Sequence, residues 1–201
     1  MKYRDNIKSV SLSSPDMLGF IFYKQSPRFI RPNALQVVIE ELPQHVQTVG
    51  VFVNENFSRI KKIVRTLQLD FVQLHGLESV ETVKKLKEEN IAVIKAFHID
   101  NEFDWSTVQA YETDCFAFIF DTAGSQWGGH GKQFDWSKLS LYQGQRPYLL
   151  SGGIDIESVQ RLRAISDERF IGVDINSRFE ISPGRKNIQL VSSFIKRLNH
   201  E

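Results

Sequence analysis

Apolar runs of strand length recur along the chain at fairly even spacing. They are MLGFIF at 17–22, VQTVGVFV at 46–53, FVQL at 71–74, IAVIKAF at 91–97, CFAFIF at 115–120, PYLLS at 147–151 and FIGVDI at 170–175. They are short and rich in Val, Ile and Phe, as strands buried on both faces are. Between them the pattern changes to a helical period. Residues 58–67 place Ile60, Ile63, Val64 and Leu67 on one face, and 80–89 turn Val83 and Leu86 inward; 156–164 and 188–198 read the same way. The stretch 54–56 can cap the first of these helices, and Asp155 can cap the one that follows Gly153. Strands alternating with helices predict a parallel sheet with right-handed crossovers. Residues 4–12 read as a helix with no strand before it. A closed (β/α)8 barrel needs eight strands and about 250 residues, with about 200 as its lower limit. The expected fold class is therefore α/β, either an open seven-stranded sheet or a (β/α)8 TIM-barrel type whose first strand is missing.

No low-complexity segment or Pro/Gly/Ser-rich linker divides residues 1–201, so a single domain is expected. Lys and Arg number 25 against 24 Asp and Glu, a net charge of +1. That balance offers no general field for nucleic acid or an anionic membrane, so a bound phosphate needs a local site. One cysteine excludes an internal disulfide framework. Mean hydropathy is −0.27, no apolar run approaches the roughly 20 residues of a bilayer span, and the first residues hold no apolar signal core. A soluble, reduced, cytoplasmic setting is the expectation.

The segment DTAGSQWGGHGKQFDW, 121–136, follows the run at 115–120 and so lies at that strand's C-terminal end, where parallel α/β folds carry their active sites. Alternation puts Cys115, Ala117, Ile119 and Asp121 on one face and Phe116, Phe118 and Phe120 on the other. The aromatic face suits packing against helices. The smaller face suits a barrel interior with Asp121 at its mouth; capping a loop or pairing with a lysine is an equal alternative for Asp121 at this point. Gly128, Gly129 and Gly131 suggest either a mobile loop over a ligand or an ordinary glycine-rich turn.

Ser151-Gly152-Gly153 separates a strand from a helix, where glycines let backbone N–H groups approach an anion. Ile175-Asn176-Ser177 follows the next strand. Loops after the last two strands of a barrel commonly form a phosphate site, so the pair points to a phosphorylated small molecule. Gln73 and His75 share one face of a strand end and either line a pocket or fill a polar layer and cap the turn. Arg28 could grip a carboxylate with two bonds, or face solvent. The five histidines show no metal-ligand spacing, and neither a Walker loop nor a dinucleotide fingerprint is present.

GFIFYKQSPRFI, VGVFVNE, VQLHG, DTAGSQWGGHGKQFDW, LLSGGI and GVDINSRFE followed by PG span nearly the whole chain. In that order and spacing the chain resembles the phosphoribosylanthranilate isomerase family of tryptophan biosynthesis. The resemblance implies a small (β/α)8 barrel and an Amadori rearrangement of N-(5-phosphoribosyl)anthranilate to 1-(2-carboxyphenylamino)-1-deoxyribulose 5-phosphate, with no cofactor and no metal. It implies Asp121 as the acid that protonates the ribose ring oxygen. Arg28 would hold the anthranilate carboxylate, and Gly152, Gly153, Asp174, Asn176 and Ser177 the phosphate, mainly through backbone donors. Gln73 and His75 fall at pocket positions.

Two departures stand out. Many relatives read Ser-Ser-Gly where this chain reads Ile175-Asn176-Ser177-Arg178. The family's base, a cysteine in a Lys-x-Cys-Gly stretch ending the first strand, has no counterpart, because Met1 stands where that stretch would just have ended. Cys115 is no substitute: six residues before Asp121 is roughly 20 Å along a strand, against the roughly 3 Å reach of an acid–base pair. It reads as a small core residue. The expectation is a chain with little isomerase activity as it stands and a gene product that starts upstream. The alternatives are a non-enzymatic phosphosugar-binding barrel or another sugar-phosphate isomerase.

Overall fold

The computed structural model describes residues 1–122 and 134–199. Seven strands form one parallel sheet in chain order: β1 (Met17–Ile21), β2 (Gln47–Phe52), β3 (Phe71–Leu74), β4 (Ala92–Ile99), β5 (Ala117–Thr122), β6 (Tyr148–Ser151) and β7 (Phe170–Val173). Every sequence-expected run is a strand, with ends shifted by a few residues. The crossovers carry α2 (Gln36–Glu40), α3 (Phe57–Leu67), α4 (Val80–Glu88), α5 (Ser106–Gln109) and α6 (Val159–Arg163); α1 (Arg4–Ser11) precedes β1 and α7 (Ile188–Leu198) closes the chain. Asn56 Oδ1 accepts from the Arg59 N–H at 2.8 Å, and Asp155 forms a reciprocal cap with Ser158, as their sequence positions suggested. The stretch read as one helix at 156–164 begins instead as a 3-10 turn, Ile156–Ser158.

Two apolar layers follow from alternation along the strands. Val49, Phe71, Ile94, Ala96, Ala117 and Ile119 pack together inside the curled sheet, with Met17, Ala92 and Leu149 against them. Phe118, Phe120 and the buried helix residues Ile60, Val83, Leu162 and Phe194 form the outer layer. The expected two-faced pattern holds from Ala117 onward and fails before it. Cys115 lies in the outer layer, and Phe116, half exposed, tilts onto Phe71 at 4.9 Å. The reason is that the strand starts at Ala117, so the two preceding residues escape its alternation.

Among the described residues β1 and β7 do not pair with each other. The space between these edges is bridged near the upper rim. A short antiparallel hairpin, β8 (Glu180–Ser182) with β9 (Arg185–Lys186), follows β7. Met1 is buried, its amine donates to the Gly19 carbonyl of β1 at 2.7 Å, and the Lys2 N–H donates to Gly184 in the hairpin turn at 3.2 Å. Burial, with Lys186 nearby, lowers that amine's pKa to about 5. Asn6 of α1 exchanges two buried hydrogen bonds with the Lys186 backbone. The hairpin is absent from the sequence reading, since its strands are too short to show a period.

Candidate active site

On β3, β4 and β5 the inward positions above the inner apolar layer are polar. Continuing β3, β4 and β5 upward by alternation gives Gln73 and His75, then His98, then Asp121. The strand register sets His98 beside Asp121 and Asp121 beside Ser151. The loop ends of neighbouring strands therefore place these side chains at one rim.

Hydrogen bonding settles the protons. A carboxylate only accepts, so Gln73 turns Nε2 toward Asp174 Oδ2 at 3.4 Å and donates also to His75 Nδ1 at 2.9 Å. His75 then carries its proton on Nε2, which donates to Asp121 Oδ2 at 3.2 Å. A carbonyl likewise only accepts, so His98 Nε2 donates to His75 O at 3.2 Å. Its Nδ1 lone pair faces Asp121 Oδ2 at 3.6 Å. Burial, then the neighbouring His75, push the His98 imidazole below its ordinary range, although Asp121 pulls the other way.

The loop after β6 touches Asp121 directly. Gly152 has φ +84°, and a Cβ there would stand 2.6 Å from the Thr122 nitrogen and 2.7 Å from Asp121 Oδ1. Gly153 also has a positive φ, 67°. Only glycine meets both demands at 152. The loop after β7 is held from behind. Lys186 Nζ donates to Asn176 Oδ1 at 2.8 Å, to Asn176 O at 2.9 Å and to Ile175 O at 3.2 Å. Burial lowers its pKa to about 8, partly offset by Glu180 and Asp174. Ser177 opens a 3-10 turn, Ser177–Phe179. Asp174 departs from its expected part as a phosphate donor: its N–H is engaged by Leu150 O at 2.8 Å, and its carboxylate meets Gln73.

Arg28 does grip a carboxylate with two bonds, but the carboxylate is Glu180 of the same chain. Nε lies 2.9 and 3.0 Å from the two oxygens and Nη2 lies 2.7 Å from Oε2, with the side chains 11% and 5% exposed. Burial opposes ionisation of Glu180; the Arg28 hydrogen bond, Lys186 and the Gly184 N–H outweigh it and hold its carboxyl below the ordinary range. Where the sequence reading offered Arg28 a ligand carboxylate or solvent, the structure adds an internal ion pair made through Nε and Nη2.

Cys115 is buried, and desolvation pushes its thiol up to about 12, so it is inert at neutral pH as expected of a core cysteine. Gly128, Gly129 and Gly131 lie outside the described residues. His98, Glu180 and Lys186 went unnoticed in the sequence. His98 stands 23 residues from His75, and only the adjacency of β3 and β4 joins them. The histidines show no ligand spacing along the chain, yet the fold brings His75 and His98 together with Asp121.

A curled parallel β/α sheet with an acid–imidazole cluster and glycine loop at its C-terminal rim defines the class, a barrel protein with acid–base groups at its mouth. Comparison with known proteins narrows it. The family model described as N-(5'phosphoribosyl)anthranilate (PRA) isomerase matches residues 2–197. The chain is 40% identical to N-(5'-phosphoribosyl)anthranilate isomerase of Parabacteroides distasonis, over 100% of this chain and 91% of that protein. It is 43% identical to that of Thermotoga neapolitana, over 92% and 88%. The crystal structure of phosphoribosyl anthranilate isomerase from Thermotoga maritima superposes with a TM-score of 0.89 at 37% identity, covering 100% of this chain and 96% of that one. A further structure, of phosphoribosyl anthranilate isomerase in complex with reduced 1-(o-carboxyphenylamino)-1-deoxyribulose 5-phosphate, matches at a TM-score of 0.85 and 35% identity, over 100% and 96%. The chain belongs to the N-(5'-phosphoribosyl)anthranilate isomerase family, an enzyme family.

Proposed function

We propose that the chain isomerises N-(5'-phosphoribosyl)anthranilate to 1-(2-carboxyphenylamino)-1-deoxyribulose 5-phosphate in tryptophan biosynthesis, with Asp121 as the general acid. The observation that carries this reading is the contact of Asp121 with the Gly152 loop. The ribose ring oxygen is only a few bonds from the 5-phosphate, so the acid and the phosphate loop must be neighbours. Gly152, Gly153, Asn176 and Ser177 form the phosphate site, and Lys186 keeps its second loop in shape. His75, fixed by Gln73, holds the Asp121 rotamer. Arg28 takes the anthranilate carboxylate on the Nη1 side that Glu180 does not engage. Proton transfer to the ring oxygen opens the ring to a Schiff base, removal of the C2′ proton gives an enolamine, and tautomerisation, with C1′ gaining a proton as the C2′ hydroxyl loses one, completes the rearrangement. Cys115, in the outer layer, falls away as a candidate to receive the C2′ proton. The expected inactivity finds no support in the comparisons, which match the chain to isomerases over its whole length.

The test is turnover of N-(5'-phosphoribosyl)anthranilate by the wild type and by Asp121→Asn. The variant is expected to lose at least about a hundredfold in kcat, the low end of general acid catalysis, while binding the reduced product analogue as before. Near-normal turnover by the variant removes Asp121 from the mechanism.

A further inference from the structure

His75, His98 and Asp121 come from the ends of three adjacent strands, and their ligand atoms all lie within 4.8 Å of one another. Asp121 Oδ2 is 3.2 Å from His75 Nε2 and 3.6 Å from His98 Nδ1. A tetrahedral ion bonding N and O at about 2.0–2.2 Å sets its ligand atoms roughly 3.3–3.5 Å apart. Two edges of the triangle already suit such an ion, and the third is within 4.8 Å. The three side chains are 15–26% exposed, so the barrel mouth gives access.

Orientation is also prepared. His98 donates its outer N–H to a backbone carbonyl and aims the other nitrogen inward, the usual outer support of a metal-bound imidazole. His75 needs its proton on Nδ1. Turning the Gln73 amide presents Oε1 to that proton, at the cost of replacing the 3.4 Å donor contact to Asp174 Oδ2 by an oxygen–oxygen approach. Two imidazoles with one carboxylate favour zinc-like ions over magnesium or calcium.

We propose that His75, His98 and Asp121 bind a divalent transition-metal ion of the zinc type, and that the bound ion occupies the Asp121 carboxylate and inhibits the enzyme. Binding is independent of the isomerase reading; only the inhibition rests on it.

Cobalt(II) chloride titrated into the full chain reports the site through its visible d–d absorption. The bands are expected to saturate at one ion per chain and to disappear when zinc chloride is added. His98→Gln keeps a donor for the His75 carbonyl but loses the imidazole, and Asp121→Asn loses the carboxylate charge. Each is expected to weaken cobalt binding at least tenfold, with circular dichroism verifying the fold. In zinc-soaked wild-type crystals an anomalous peak should sit among the three ligand atoms, a measurement that needs no variant. Absence of bands at millimolar cobalt, unchanged affinity in both folded variants, or a zinc peak only elsewhere overturns the site. Zinc should also inhibit turnover at the concentrations that displace cobalt. Full turnover with zinc seated at the three ligands overturns the inhibition and counts against Asp121 as the acid, while leaving the binding result intact.

Discussion

Single atoms decide much at this rim. At Gly152 a methyl group would meet the Thr122 nitrogen and the Asp121 carboxylate, in a backbone conformation that side chains rarely adopt. Gly152→Ala is expected to cost about 1–3 kcal/mol of stability, the scale of one strained residue, and to lower kcat/KM at least as far as Asp121 is displaced; urea unfolding and steady-state kinetics measure the two. Cys115 shows the opposite use of burial. Its thiol is raised from 9 to about 12, so the unfolded chain loses this proton above pH 9 while the folded chain keeps it. The contribution of the buried neutral thiol is complete below pH 9 and lost progressively between pH 9 and 12. From pH 9 to 10 the wild type should therefore lose about 1 kcal/mol relative to Cys115→Ala, since the unfolded thiol is already half ionised at pH 9. Urea midpoints of both proteins at the two pH values test this, and parallel changes would refute it.

Among the elements, the parallel strands were the most legible, since each repeats short runs of Val, Ile and Phe between capped amphipathic helices. Helix α3 followed from Ile60, Ile63, Val64 and Leu67, all of them buried. Asp121, Gln73 and His75 could be placed because strand alternation carries them to the mouth. His98 was out of reach, because its partner sits on another strand and pairing is a property of register. The hairpin of β8 and β9 was equally hidden: five residues carry no periodic signal, and its role comes from Asn6, Arg28 and Lys2 far away in the chain. Asn6→Ala leaves the Lys186 backbone N–H and carbonyl buried without this partner, at a cost of about 1–3 kcal/mol for an unsatisfied group, to be read from denaturant midpoints. Arg28→Ala should weaken product binding by about 1.5–3 kcal/mol, the scale of a hydrogen bond to a charged group. It also removes the main partner of a buried carboxylate. Glu180, held below the ordinary range in the wild type, contributes stability at neutral pH that disappears as pH falls through its folded value. The wild-type advantage over Arg28→Ala should therefore shrink in acid.

For the molecule as a whole, the sheet has a centre and two ends. Strands β3 to β5 are flanked on both sides, whereas β1 and β7 each have one strand neighbour. Amide exchange should be slowest in the central strands and fastest in the edge strands, except where Met1 and the hairpin cover them. Uniform protection across all seven strands would contradict that gradient. The ion pair of Arg28 with Glu180 links the two ends of this arrangement across 152 residues of chain. A ribosome adds roughly 5–20 residues per second, so the arginine emerges roughly 8–30 seconds before the glutamate that will hold it. Throughout that interval the nascent polypeptide has a guanidinium without its carboxylate and an incomplete pocket. A message cut short before the Glu180 codon would thus yield all seven parallel strands and leave Arg28 without its carboxylate.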